Sequence, residues 1–239
     1  MASRGIAAES LSVVVLGQFN PAVFSPLWFF DELLIGRSER EQAEMGVVSN
    51  EVTSFQMGWL RLTANTSMLQ LSTTEPEEFV RLRDAVIGTL RALTGTPVAA
   101  VGINHDVHVT MDSIHSYNRI GHVLAPKSPW DGVLQSPGMR SVILWGARPD
   151  DHVGRVQIRV EPSQQFPQSV YIQNNDHYQF TATQASELEG SWQITEIGPP
   201  SSQHVESVIN VLQANWDASL ARATVAESRV VELGGEEAL

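Results

Sequence analysis

The chain has 239 residues, 42% of them hydrophobic and 18% charged, a globular composition that excludes a wholly disordered chain and allows one large domain or two small ones. It has no cysteine, which excludes a disulfide framework, a zinc–thiolate or iron–sulfur site and a cysteine nucleophile. With 15 basic and 27 acidic residues its formal charge is −12, a field that repels phosphate polymers and argues against nucleic acid as a partner.

The charge is unevenly spread. Residues 1–118 hold 7 basic and 13 acidic groups, net −6; residues 119–160 hold 6 and 3, net +3; residues 161–239 hold 2 and 11, net −9. Only the middle segment welcomes an anion. All basic residues but Lys127 are Arg, the better fork for carboxylate and phosphate, although codon composition explains that bias plainly. Met1–Ser10 contains a single Arg and no apolar run, and Val13–Leu16 is too short for a signal peptide or a membrane span. The sequence therefore points to a cytoplasmic protein without a membrane partner.

In chain order, residues 11–17 read as a short buried strand ending at Gly17. Asn20 before Pro21, and then Pro26, divide the next stretch into two short helical pieces carrying Trp28, Phe29, Phe30, Leu33 and Leu34. Residues 37–50 are polar and read as a connection. Two strands follow at 51–63 and 67–73, with a turn at Ala64–Thr66. A helix is expected over 74–93, capped by Thr74, with Pro76 in its first turn and a stripe of Phe79, Leu82, Val86, Leu90 and Leu93. Residues 98–111 read as a central strand, and Ser113 as the start of a short helix to about Val123.

The Pro- and Gly-rich segment 124–139 reads as a joint. Beyond it, strands are expected at 140–146, 154–161, 169–181 and 191–197. In the second of these, Val156, Ile158 and Val160 face inward and Arg155, Gln157 and Arg159 outward. Ser201 or Ser202 starts a last helix ending near Ala226, and 227–239 reads as a flexible acidic tail. The whole reads as α+β: one compact domain over 1–226, with mostly antiparallel sheets in two strand-rich halves (1–123 and 140–226). Each half has a long amphipathic helix and an Asn/Asp/His segment on a strand, as in a weak internal duplication.

Several stretches together carry a resemblance: FNPAVFSPLWF (19–29), RLRDAVIGTLRALTGTPVAAVGIN (81–104), GHVLAPKSPW (121–130), PGMRSVILWGARPD (137–150), VEPS (160–163), NDHY (175–178) and NWDASL (215–220). The chain resembles a set of bacterial proteins of similar length that have no assigned activity. The resemblance covers most of the chain and implies a bacterial origin and a single unit. It transfers no substrate, cofactor or catalytic residue.

Four constellations are candidates for function. His105, Asp106, His108, Asp112 and His115 lie within 11 residues and invite a metal reading with His105, His108 and His115 as ligands. On a strand, however, His105 and His108 point to opposite faces, so no metal is assigned. Asp106 and His108 share a face, and with His177 they are the candidate acid–base residues. No G-x-S-x-G, H-E-x-x-H or glycine-rich phosphate loop is present, and no cofactor is implied. Arg155 and Arg159 on one strand face are the candidate anion site. Trp28, Phe29 and Phe30, in the most apolar stretch, are the candidate partner-binding residues.

For each there is a plainer reading: polar groups tying strand to helix, a solvated strand face, and ordinary core. The favoured function is a non-enzymatic subunit that binds a protein partner or itself. A metal-dependent or acid–base enzyme is the alternative, and anion or nucleic-acid binding through the basic middle is the third.

Overall fold

The computed structural model describes residues 5–188 and 191–235, and main-chain positions only for the strands between 182 and 197. Its frame is one antiparallel nine-stranded sheet. In chain order the strands are β1 (Gly5–Gly17), β2 (Glu44–Val48), β3 (Val52–Met57), β4 (Leu60–Asn65), β5 (Met68–Thr73), β6 (Val98–Thr110), β7 (Val142–Ala147), β8 (Gly154–Pro162) and β9 (Ser169–Gln179). Across the sheet the order is β2-β3-β4-β5-β1-β6-β9-β8-β7. A separate hairpin, β10 (Ala182–Leu188) and β11 (Ser191–Ile197), follows β9. The helices are α1 (Pro26–Asp31), α2 (Arg37–Glu41), α3 (Phe79–Ala92), α4 (Ile114–Leu124) and α5 (His204–Glu232).

Alternation decides what each face of the sheet carries. Read across the strands, one row runs Phe55, Leu62, Leu71, Val13 and Ile103. These residues are buried beneath Leu82, Val86 and Leu90 of α3 and Val208, Leu212 and Trp216 of α5. A smaller cluster on the same face joins Val107, Val109, Ile120, Val160, Ile172 and Val230 under α4 and the end of α5. A fully buried aliphatic side chain of this kind contributes about 1.5–3 kcal/mol. Among the described residues the opposite face carries no helix-packed core. Its central row crosses all nine strands as Glu44, Gln56, Arg61, Ser72, Ser12, Asn104, Asn175, Gln157 and Trp145.

Local chemistry explains the helix starts. Asn20 accepts the Ala22 N–H, and Ser25 accepts the Trp28 N–H with Pro26 at the first helical position. Ser113 caps α4 by accepting the Ser116 N–H. Thr74 does not cap α3. A 3-10 turn at Pro76–Glu78 leads into that helix, and the side chain of its cap residue Glu78 accepts no backbone N–H of the helix.

Other expectations shift. The two halves form one sheet, because β6 of the first pairs along its length with β9 of the second. The strand expected over 51–63 is two strands folded at Gly58, whose φ of +57° suits glycine. The supposed connection 37–50 contains α2 and the edge strand β2. Helix α5 passes Ala226 and runs to Glu232, because Glu227 and Val230 are buried and extend its packed stripe into what reads as a tail. No helix of the described residues is long and apolar enough to cross a membrane.

Candidate functional site

The metal reading fails on direction. His105 points to the helix face, where its Nε2 lies 2.6 Å from Glu9 Oε1 and its ring meets Phe79 edge-on. His108 points to the open face, and His115 is exposed on α4. Among the described residues no three His, Asp or Glu side chains are grouped to hold a metal ion.

The acid–base candidates do share the open face. Gly102, Asn104, Asp106 and His108 alternate along β6 and oppose His177, Asn175, Gln173 and Tyr171 on β9. Asp106 Oδ1 accepts from the Tyr171 hydroxyl and from Gln173 Nε2. Burial, reinforced by that carboxylate, pushes the Tyr171 hydroxyl pKa well above its ordinary range, so it remains a donor. Ser163 Oγ accepts the backbone N–H groups of Gln165 and Phe166, so its own proton goes to His108 Nδ1, 2.9 Å away. His108 then carries its proton on Nε2. Burial depresses its pKa, Asp106 only partly opposing, which keeps the ring neutral.

Asp106 and His108 line a shallow cavity of ≈ 410 Å³ with Ala8, Ser10, Thr74 and Gln165. It adjoins a second of ≈ 190 Å³ that shares Ser10, Thr74 and Asp106 and is walled by Trp59 and Arg61. His177 stands apart. It faces Gly102, four residues along β6 from Asp106 and so about 13 Å away. Its Nε2 pairs with Gln179 Oε1, and its pKa is lowered by burial and by Arg155 and Arg148. The three-residue acid–base set is therefore not assembled; the Asp106–His108 pair is.

The basic middle is largely spent inside the molecule. Arg159 pairs with Glu161 at 2.6 Å, and the Arg155 guanidinium lies 5.0 Å from the Trp145 ring centroid. Lys127 donates to the Gly121 and Ala125 carbonyls, and Arg119 to that of Leu233. Arg148 is fully buried. It reaches Asp150 at 2.6 Å and Asp176 at 3.3 Å and stacks 3.5 Å over the Tyr178 ring. Arg222 of α5 closes this network on Asp176 at 3.1 Å. Burial works against the Asp150 charge, but Arg148 holds its carboxyl below the usual range. Burial also pushes Tyr178 up to about 12. The network ties the chain just after β7 to β9 and α5.

The apolar candidates divide. Phe29 is wholly buried against Phe55, and Trp28 and Phe30 pack partly buried on the same core, so this stretch chiefly completes the interior. Leu27 and Leu33 of the same stretch are 56% and 88% exposed, and a consecutive run of three exposed apolar side chains lies on β7, where Ile143, Leu144 and Trp145 are 54%, 61% and 59% exposed. Ile143 and Trp145 stand on the polar face and Leu144 on the helix face. Strand β7 is the last of the sheet, and the β10–β11 hairpin approaches it without pairing with it. No described strand pairs with its outward backbone groups. The run Ser141–Ala147 is legible in the sequence as uncharged, but nothing local marks it as an edge.

No family profile matches the chain, and no curated protein is significantly similar to it.

Proposed function

We propose that this protein is a non-enzymatic assembly subunit of a bacterial intracellular complex, docking to a protein partner by strand addition at β7. The observation that supports the reading is an uncharged edge strand with three consecutive large apolar side chains, each more than half exposed. Monomeric soluble proteins protect such edges with charge, proline or a bulge, and unprotected ones pair. Main-chain hydrogen bonds then supply affinity, and alternate side chains supply specificity. Native mass spectrometry of the untagged protein from its own cells tests this. A defined protein-bound species is expected for the wild type and is lost in Leu144→Lys. A species that survives the substitution unchanged, or a wild type carrying no protein at all, sinks the proposal.

A second reading rests on Asp106, the floor of both cavities on the open face. Among the described residues no cation pairs with it, and neutral His108 beside it is a hydrogen-bond donor through Nε2. That chemistry suits a small polar ligand carrying an ammonium group, bound or turned over by acid–base exchange. Thermal shifts with simple amines, compared in wild type and Asp106→Asn, test it. Equal shifts in both proteins remove it.

A further inference from the structure

We infer that the partner at β7 is a second copy of this chain, and that two β7 strands pair antiparallel about a two-fold axis at Leu144, joining two nine-stranded sheets into one. This rests on the assembly reading above and names its partner.

Symmetry makes a strong demand on such a strand. A two-fold axis perpendicular to the sheet keeps the faces of both copies aligned, so residues opposite each other must share a face. Centring on Leu144 meets this condition and uses the whole strand. Leu144 meets itself, Ile143 meets Trp145, Val142 meets Gly146 and Ser141 meets Ala147. The bulky indole falls opposite an aliphatic side chain and glycine opposite valine, so both faces of the seam fill without collision or a hole. A seam centred on Trp145 would instead need Arg148 to pair, and Arg148 is turned inward to Asp150 and Asp176.

Charge leaves the seam itself neutral. Two copies of a chain with net charge −12 repel, so a contact between them must fall where no charge is forced into register. No charged residue lies between Arg140 and Arg148. Arg148 is already neutralised by its acids. Arg155 and Arg159 of the two copies are separated by three strand spacings, about 14 Å, beyond the screening length at physiological salt.

The exposed side chains supply part of the area a stable seam needs. The exposed fractions of Ile143, Leu144 and Trp145 leave on the order of 400 Å² of apolar surface on each copy. That is half of the roughly 800 Å² per partner of a standard interface, before the paired backbone is counted.

The absence of cysteine permits a direct test. Opposed residues of an antiparallel pair have Cα atoms about 4.5–5.5 Å apart, within disulfide range. Purified Leu144→Cys is expected to form a covalent dimer under mild oxidation, whereas Val47→Cys on the opposite edge stays monomeric. In parallel, light scattering on the purified wild type should show a reversible dimer at micromolar concentration. Leu144→Lys sets two ammonium groups face to face and raises the dissociation constant roughly 30-fold or more. Leu144 is exposed, so an unchanged melting temperature confirms that the variant is folded. A strictly monomeric wild type together with no Leu144→Cys cross-link overturns the inference. If Leu144→Lys nevertheless removes a different protein in native mass spectrometry, assembly through β7 stands and the self-pairing falls.

Discussion

The two edges of the sheet solve the same problem differently. Strands β2 and β7 both end the sheet, and both carry exposed apolar side chains: Met45, Val47 and Val48 on one, Ile143, Leu144 and Trp145 on the other. On β2 a register shift between Met45 and Val47 breaks the ladder, Glu44 opens the strand and Glu51 follows it closely. A bulge and flanking charges are what keep an edge from pairing with another chain. On β7 the six-residue ladder with β8 is unbroken and no charge intervenes. Exposed hydrophobicity alone therefore does not single out an interface. The regular, unguarded backbone does.

The bracing behind the edges differs as well, and that yields the largest expected effect. The chain leaving β7 is clamped by Arg148 to Asp176 in the interior, whereas the short helix α2 before β2 is held by a partly exposed ion pair, Glu39 to Arg81 of α3 at 2.5 Å. Asp176→Asn leaves the buried guanidinium with Asp150 alone and should cost about 3 kcal/mol in urea unfolding. An unchanged midpoint would make the clamp ornamental and the two edges equivalent.

Next in size is assembly itself. Leu144→Lys should weaken self-association roughly 30-fold or more by sedimentation equilibrium, while the melting temperature holds. Equal weakening by Val47→Lys would erase the distinction between the edges.

Acid sharpens the comparison on a smaller scale. Burial and the neighbouring Arg155 and Arg148 lower the His177 pKa beneath its ordinary 6.5. The unfolded chain therefore takes up a proton first as the pH falls through 6.5, and the folded state loses stability from there down to the depressed value. His177 pairs across to Arg155 of β8, next to β7. Amide exchange between pH 7 and 5 should loosen β7–β9 before β3–β5, and His177→Gln should flatten that dependence. The smallest effect is expected of Val47→Lys on stability, within about 0.5 kcal/mol, since its side chain already meets water. A larger loss would mean that the β2 edge is packed after all.

Much of the secondary structure is legible without tertiary information, for stated reasons. The stripe through Phe79, Leu82, Val86 and Leu90 announces α3, Ser113 announces α4, and strict alternation at 154–160 sorts Val160 inward from Arg155 and Arg159. The same alternation places Asp106 and His108 on one face and His105 on the other. What misleads is amplitude of hydrophobicity. The stretch around Trp28–Phe30 is the most apolar in the chain and reads as a sticky surface, yet Phe29 is buried because the 3-10 turn at Pro21–Val23 and helix α1 fold it onto Phe55. Position 44–48 reads as a polar connection because an edge strand needs little apolar burial to form.

Composition and pattern thus determined the class of protein: a cysteine-free α+β chain built on antiparallel strands and amphipathic helices, with Asp106 and His108 side by side. Those properties depend on residue type and on periods of two and 3.6, which are local. Tertiary structure alone decided that β6 meets β9, that Arg148 finds Asp176 across 28 positions, and that β7 lies at a sheet margin. Strand order sets which backbone groups are left without neighbours, and strand order is a property of long-range pairing that no local window of sequence contains.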